Sequence, residues 1–261
     1  MNLKKITEQV VALSLASGAF IKKEAETFDY DDVELKGKND LVSYVDKEAE
    51  KMMVKKLKEI LPEAGFITEE GTEIESETEY KWIIDPLDGT TNFIHGLPIY
   101  STSIALTKDK EIISGVVYDI ERDDCFHAYK NGGAFCNDKS ISVSKLPTLG
   151  DSLLATGFPY YDFDRMADYQ SILNELMQNA HGLRRLGSAA IDLVYVGLGR
   201  YEGYFEYNLN PWDIAAGALI VEEAGGRVTD FSGGDNYLFG REILAANTIH
   251  AEMLAIIEKH W

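Results

Sequence analysis

A chain of 261 residues, 45% hydrophobic and 26% charged, has the makeup of a folded protein with room for a large core. Its formal net charge of −19 excludes an ordinary nucleic-acid or anionic-membrane binder, which needs a basic patch; no basic run here is long enough. Cys125 and Cys136 are the only cysteines, too few for a disulfide framework at this length and without metal-ligand spacing, so they read as small hydrophobes in a reducing compartment.

In chain order, Lys4 and Lys5 precede an apolar run from Val10 to Ala16, which has the look of a secretion signal, but Glu8 and Gln9 interrupt the join. Leu3, Ile6, Val10, Leu13 and Ala16 recur at helical spacing. The expectation is therefore an amphipathic helix of a cytoplasmic protein, ending near Glu26. No run is long enough to span a membrane. Asp29 to Lys38 is polar and reads as an exposed loop. A second helix is predicted from Ser43 to Leu61, stopped by Pro62, with Val45, Ala49, Met53, Leu57 and Ile60 as its apolar stripe. Ser43 and Asp46 have capping-box spacing. Gly65 to Ile67 is a short strand that delivers Glu69 and Glu70, and the acidic stretch from Glu73 to Glu79 is loop-like.

Trp82, Ile83 and Ile84 then form an apolar run with strong strand preference, expected to be buried on both faces. The strand is predicted to end at Asp85, because Pro86 lacks the N–H a ladder needs. Asp88 follows on the turn, Gly89 permits close backbone approach, and Thr90 supplies a hydroxyl at the start of a helix reaching Phe93. Strands over Tyr100–Thr107, Ile112–Tyr118 and Cys125–Tyr129 suggest an antiparallel meander. Past Leu146-Pro147 strands alternate with helices: strands near 153–156, 182–186, 204–207, 227–229 and 243–246, and helices near 165–178, 189–198, 212–224 and 250–260. The expected organisation is an α+β half over residues 1–147 and an α/β half over residues 148–261.

Two carboxylates, a hydroxyl and helix-start N–H groups at one strand end are what a metal-assisted phosphoryl site needs. Each residue also has a plain structural reading. Asp-Pro and Asp-Gly are turn chemistry, Glu69 and Glu70 suit a solvated loop, Asp46 and Ser188 suit helix caps, and Asp213 suits a helix's first turn. The negative charge poses a problem for a phosphate ester, which bound divalent cations would solve locally. The five histidines show no triad or ligand spacing.

The string from Asp85 to Phe93 resembles the first signature of the inositol monophosphatase family, Asp-Pro-Ile/Leu-Asp-Gly-Thr-x-Asn-Phe. Trp212-Asp213-Ile214-Ala215-Ala216-Gly217 resembles the second, and the resemblance runs over nearly the whole chain. It implies a layered αβαβα sandwich of the sugar-phosphatase type with the site between its two halves, and hydrolysis of a phosphate monoester, with myo-inositol monophosphate leading. Other sugar phosphates, nucleotide 3′-phosphates and the 2′-phosphate of NADP are the alternatives. It implies two or three Mg²⁺ ions, with Mn²⁺ a substitute, on Glu69, Asp85, the Leu87 carbonyl, Asp88 and Asp213. Asp46 and Thr90 would deprotonate the attacking water with help from Glu69. Gly89, Gly187, Ser188, Ala189, Glu206 and the loop lysine Lys36 would join Asp88, Thr90 and Asp213 around the substrate. The family is usually a lithium-sensitive homodimer. A haloacid-dehalogenase-type phosphatase is the runner-up, but its Asp-x-Asp spacing is one residue shorter than Asp85 to Asp88. A non-catalytic acidic metal-binding module is the third reading.

Overall fold

The computed structural model describes residues 1–28, 33–37, 40–72, 78–160 and 162–261, with the backbone path alone at 33–37 and 40–42. Helix α1 (Leu3–Ala25) starts at Asn2, whose side chain accepts from Lys5 N at 3.1 Å, and buries Ile6, Val10, Leu13 and Ile21. Strands β1 (Val33–Gly37) and β2 (Asp40–Ser43) pair antiparallel, so the described part of the expected 29–38 loop is a hairpin strand that carries Lys36. Its short segments lack the long apolar alternation that announces a strand. Helix α2 (Tyr44–Ile60) follows, and its reciprocal Ser43–Asp46 capping box is present as the spacing predicts.

A seven-stranded sheet comes next, in the order β3-β4-β5-β6-β7-β8-β9. Strand β3 (Gly65–Thr68) lies parallel to β4 (Tyr80–Asp88), and all later neighbours are antiparallel: β5 (Ser101–Lys108), β6 (Glu111–Asp119), β7 (Asp124–Tyr129), β8 (Ala134–Cys136) and β9 (Lys139–Ser140). The meander is thus present and longer than expected. Strand β4 does not stop at Asp85. It runs through Pro86 by a register shift between Asp85, opposite Ser103, and Asp88, opposite Ser101. Pro86 and Leu87 face one partner residue, so proline sits in a bulge where no ladder bond is asked of it. A five-residue helix, α3 (Thr90–Ile94), follows Gly89.

The second sheet has the order β11-β10-β12-β14-β13. Its elements are β10 (Leu153–Thr156), α4 (Met166–Asn179), β11 (Gly182–Arg184), α5 (Ala189–Gly197), β12 (Gly203–Tyr207), α6 (Pro211–Glu223), β13 (Arg227–Thr229), α7 (Tyr237–Gly240), β14 (Glu242–Ala246) and α8 (His250–His260). Three cores separate five layers. On one face of the first sheet Trp82, Ile84 and Val116 pack with Val10 of α1 and Met53 of α2. On its other face Ile83, Val117 and Phe126 pack with Ile191 and Val194 of α5 and Ile214 and Leu219 of α6, which also meet Tyr204 and Ala245 of the second sheet. Beyond that sheet Leu154, Phe205 and Leu244 pack with Ile172 of α4 and Met253 of α8. Helices, sheet, helices, sheet, helices is the αβαβα sandwich the resemblance implies. No helix among the described residues is long and apolar enough to cross a membrane. Both cysteines are free thiols; Cys125 is buried, whereas Cys136 is only partly so.

Candidate active site

The bulge in β4 places the first cluster. Leu87 N turns back to Asp85 Oδ1 at 3.0 Å, and Leu87 O lies 2.9 Å from Thr90 Oγ1. The tight turn needs Gly89, whose φ is +94° and which abuts the backbone of Ile99. Thr90 Oγ1 also stands 3.0 Å from Asp46 Oδ1. Its single proton can serve only one of these acceptors at a time. Asp46 is 1% exposed, and its other oxygen, Oδ2, accepts from Ser43 N at 2.9 Å and Ser43 Oγ at 2.6 Å. Asp46 therefore caps α2 and reaches Thr90 at once. Burial raises its pKa, and the Ser43 and Thr90 bonds oppose the rise.

Glu69 follows β3, where its N–H continues the parallel pairing to Ile84 O at 3.3 Å. The Glu69 carboxyl lines the same cavity as that of Asp85, near enough for its charge to act on it. Asp85 has its pKa pushed well above the ordinary range, first by burial and then by the charges of Glu69, Asp88 and Asp213. Asp88 Oδ2 accepts from Ser188 Oγ at 2.5 Å and from Ala190 N at 2.8 Å, at the start of α5. Burial lifts its pKa to about 6 against these donors. Asp213 lies in the first turn of α6, where its Oδ2 takes Asn210 N at 2.6 Å in a capping box with Pro211 at the helix start. Beside the bonds from Ser188 and Ala190 to Asp88, further bonds tie the first sheet's loops and strands to the later segments here. Asn92 Nδ2 donates to Ile99 O and Leu186 O, at 2.8 and 3.0 Å, and Ser103 Oγ donates to Trp212 O at 3.1 Å.

These groups surround one cavity of about 340 Å³ between the two sheets. Of the residues singled out in the sequence, Glu69, Asp85, Leu87, Asp88, Gly89, Thr90, Gly187, Ser188, Ala189, Glu206 and Asp213 line it. Asp46 stands behind Thr90. Lys36 lies on β1 in place of the expected loop, and its side chain is outside the described residues. Glu206 is 8% exposed and accepts from Tyr204 OH at 2.5 Å; burial raises its pKa to about 8. The sequence reading missed two charged wall residues, Arg185 and Asp192. Among the described residues Arg185 is the one arginine or lysine in the wall; it stacks over Phe158 at 5.7 Å and donates to Tyr160 OH. Asp192 lies one turn after Ser188 on α5 and is 1% exposed. The signal for Arg185 was the charge balance itself, since an anion entering so acidic a protein needs a local cation.

All candidate metal donors are oxygen atoms, and the mutual charge that lifts Asp85 is what a hard divalent cation would relieve. The donor set therefore fits Mg²⁺ or Mn²⁺. Among the described residues no three His, Cys, Asp or Glu side chains form a ready-made cage. Asp85, Asp88 and Asp213 each commit one oxygen to a nearby donor: Leu87 N, Ser188 with Ala190 N, and Asn210 N.

A five-layer sandwich with an acidic cavity between its sheets, a hydroxyl–carboxylate pair at one wall and oxygen donors around it defines a class seen in known proteins. The chain belongs to the inositol monophosphatase family, whose model matches residues 2–261. It is 40% identical over 229 residues to an inositol-1-monophosphatase of Mesorhizobium japonicum, covering 87% of this chain and 86% of that one. It is 43% identical over 232 residues to Nus factor SuhB of Escherichia coli K12, covering 88% and 87%. The crystal structure of extragenic suppressor protein suhB from Bartonella henselae superposes with a TM-score of 0.92 at 38% identity, covering 98% of this chain and 100% of that one.

Proposed function

We propose that this chain hydrolyses a phosphate monoester with Mg²⁺, and that myo-inositol monophosphate is the preferred substrate. The observation that carries the reading is Thr90 Oγ1 held between Asp46 Oδ1 and Leu87 O beside the carboxylates of Glu69, Asp85, Asp88 and Asp213. Glu69, Asp85 and Leu87 O would hold one divalent cation, and Asp85, Asp88 and Asp213 a second, with room in the reading for a third. Bound there, the cations supply charge against the phosphate and acidify water. The chain's own residues do the rest. Thr90 hands its proton to Asp46 and so can accept one from the attacking water. The backbone at Gly89 and Thr90 faces the phosphate oxygens. Ser188 and Ala190 N orient Asp88, while Gly187, Ser188, Ala189 and Glu206 contact the leaving group's hydroxyls. The family's usual homodimer and a cytoplasmic setting belong to the same proposal.

The test is phosphate release from myo-inositol 1-phosphate, an aryl phosphate, a nucleotide 3′-phosphate and NADP, with Mg²⁺, with EDTA and with added Li⁺. Fastest release from the inositol ester, its loss in EDTA and its inhibition by Li⁺ are expected. A covalent aspartyl-phosphate trapped on Asp85 would revive the dehalogenase-type mechanism. Absence of turnover with every ester would leave the non-catalytic module. A second reading comes from the relative named a Nus factor at 43% identity: a further role of that kind beside hydrolysis. Loss of hydrolysis in Asp85→Asn with that role retained would separate the two.

A further inference from the structure

Helix α2 carries a second carboxylate on the same face as Asp46, one turn later. Glu50 is 0% exposed, an uncommon state for a glutamate. Each of its oxygens meets a backbone N–H: Oε2 accepts from Glu70 N and Oε1 from Thr72 N, both at 2.8 Å. These two donors straddle Gly71, whose φ is +70°. Glu69 therefore sits between two anchors. Its own N–H is bonded to Ile84 O of β4 at 3.3 Å, and the next N–H is held by Glu50 of α2. A carboxylate bridging two amides is a stiffer clamp than either neutral bond alone.

We propose that Glu50 is a positioning residue. It holds the 69–72 turn so that the Glu69 carboxyl stays against Asp85, and thereby sets the affinity of that pair for a divalent cation. Asp46 and Glu50 stand one turn apart on α2, so a single helix reaches both Thr90 and the turn that carries Glu69. The inference rests on the reading of Glu69 and Asp85 as cation donors.

Glu50→Gln tests it. The amide keeps shape and size, but its NH₂ group faces an N–H, so one of the two clamp bonds is lost. Mn²⁺ binding is measured on substrate-free protein by electron paramagnetic resonance, and amide exchange at Glu70 and Thr72 is measured without metal. Binding is expected to weaken about tenfold, the lower end for a residue that orients a metal donor, and both amides should exchange faster. At saturating cation kcat and KM should return to the parent values. Asp46→Asn should do the reverse, losing kcat while its Mn²⁺ midpoint stays put. Glu50→Asp keeps the charge but cannot reach both amides, and should give an intermediate midpoint; it stands in if Glu50→Gln does not fold. A folded Glu50 variant with faster amide exchange and an unchanged Mn²⁺ midpoint would make the clamp a plain loop anchor and overturn the inference alone. Parent protein that binds no Mn²⁺ would overturn the proposed function and this inference together.

Discussion

Asp46 divides its two oxygens between a helix cap and a hydroxyl, and that division makes Thr90 separable from the fold. Thr90→Ala removes the hydroxyl but leaves the Ser43–Asp46 cap intact. Its kcat should fall by about a hundredfold or more, as for loss of a positioned proton acceptor, while its melting temperature stays near the parent value. Steady-state kinetics and a thermal scan check both. Glu206 offers a different separation. Above about pH 8, where the Glu206 carboxyl is ionised, a charged acceptor shielded from water is worth roughly 1.5–3 kcal/mol, so Glu206→Ala should lose about ten- to a hundredfold in kcat/KM with inositol monophosphate. An aryl phosphate lacks the ring hydroxyl and should lose much less; equal losses for both would place Glu206 in support of the fold. Glu69, Asp85, Asp88, Thr90 and Asp213 were legible in the sequence because two long signatures and a strand-end pattern contain them. Arg185 and Asp192 were not, since nothing local distinguishes a wall residue of α5 or its preceding turn from a surface one. Their place depends on how the second sheet meets the first.

At the scale of elements, strand pairing places Glu206 beside the segment after β10. Strands β10 and β12 are parallel with Thr156 opposite Phe205, so Gly157 comes next to Glu206. A Cβ on Gly157 would stand 1.9 Å from Glu206 Oε2. Gly157→Ala should therefore push that carboxyl from its place and reproduce the substrate-selective loss of Glu206→Ala, read from the same pair of esters. An equal fall in both rates would mean that the strand, not the side chain, had moved. The helices were read closely from the sequence because their apolar stripes and caps are local: α8 falls where its period places it, and α2 within a residue of its box. Strand β4 was cut short because a proline rule about ladders says nothing of a bulge, and only the register with β5 shows that one is present. The β1–β2 hairpin and α7 were missed because each is too short for a period to show.

Part of the molecule's acidity is carried inside the fold, where Asp46, Glu50, Asp85, Asp119, Asp192, Glu202 and Glu206 are buried. Glu206 has an ordinary pKa of 4.5 and one of about 8 in the fold. A carboxyl that holds its proton more tightly when folded contributes stability fully present below its unfolded pKa. That contribution is lost as pH rises through the folded one. In EDTA the protein should therefore lose stability between about pH 5 and about pH 8, with Glu206 contributing a slope of at most about 1.4 kcal/mol per pH unit. Glu206→Gln, which cannot ionise, should flatten the profile measured by denaturant titration at several pH values. An unchanged slope would assign the effect to other groups.

The bond from Ser188 to Asp88 spans 100 residues of chain. A ribosome delivers the strands of the first sheet, together with Asp85, Asp88 and Thr90, well before Ser188, Glu206 and Asp213 exist. Until α5 and α6 emerge, Val117 and Phe126 have no covering layer. The growing chain thus presents an oily sheet face and half a cavity from the emergence of β9 until that of α6. Chaperones would be needed most in that interval, and the cavity would be complete only after Asp213 of α6 has left the tunnel.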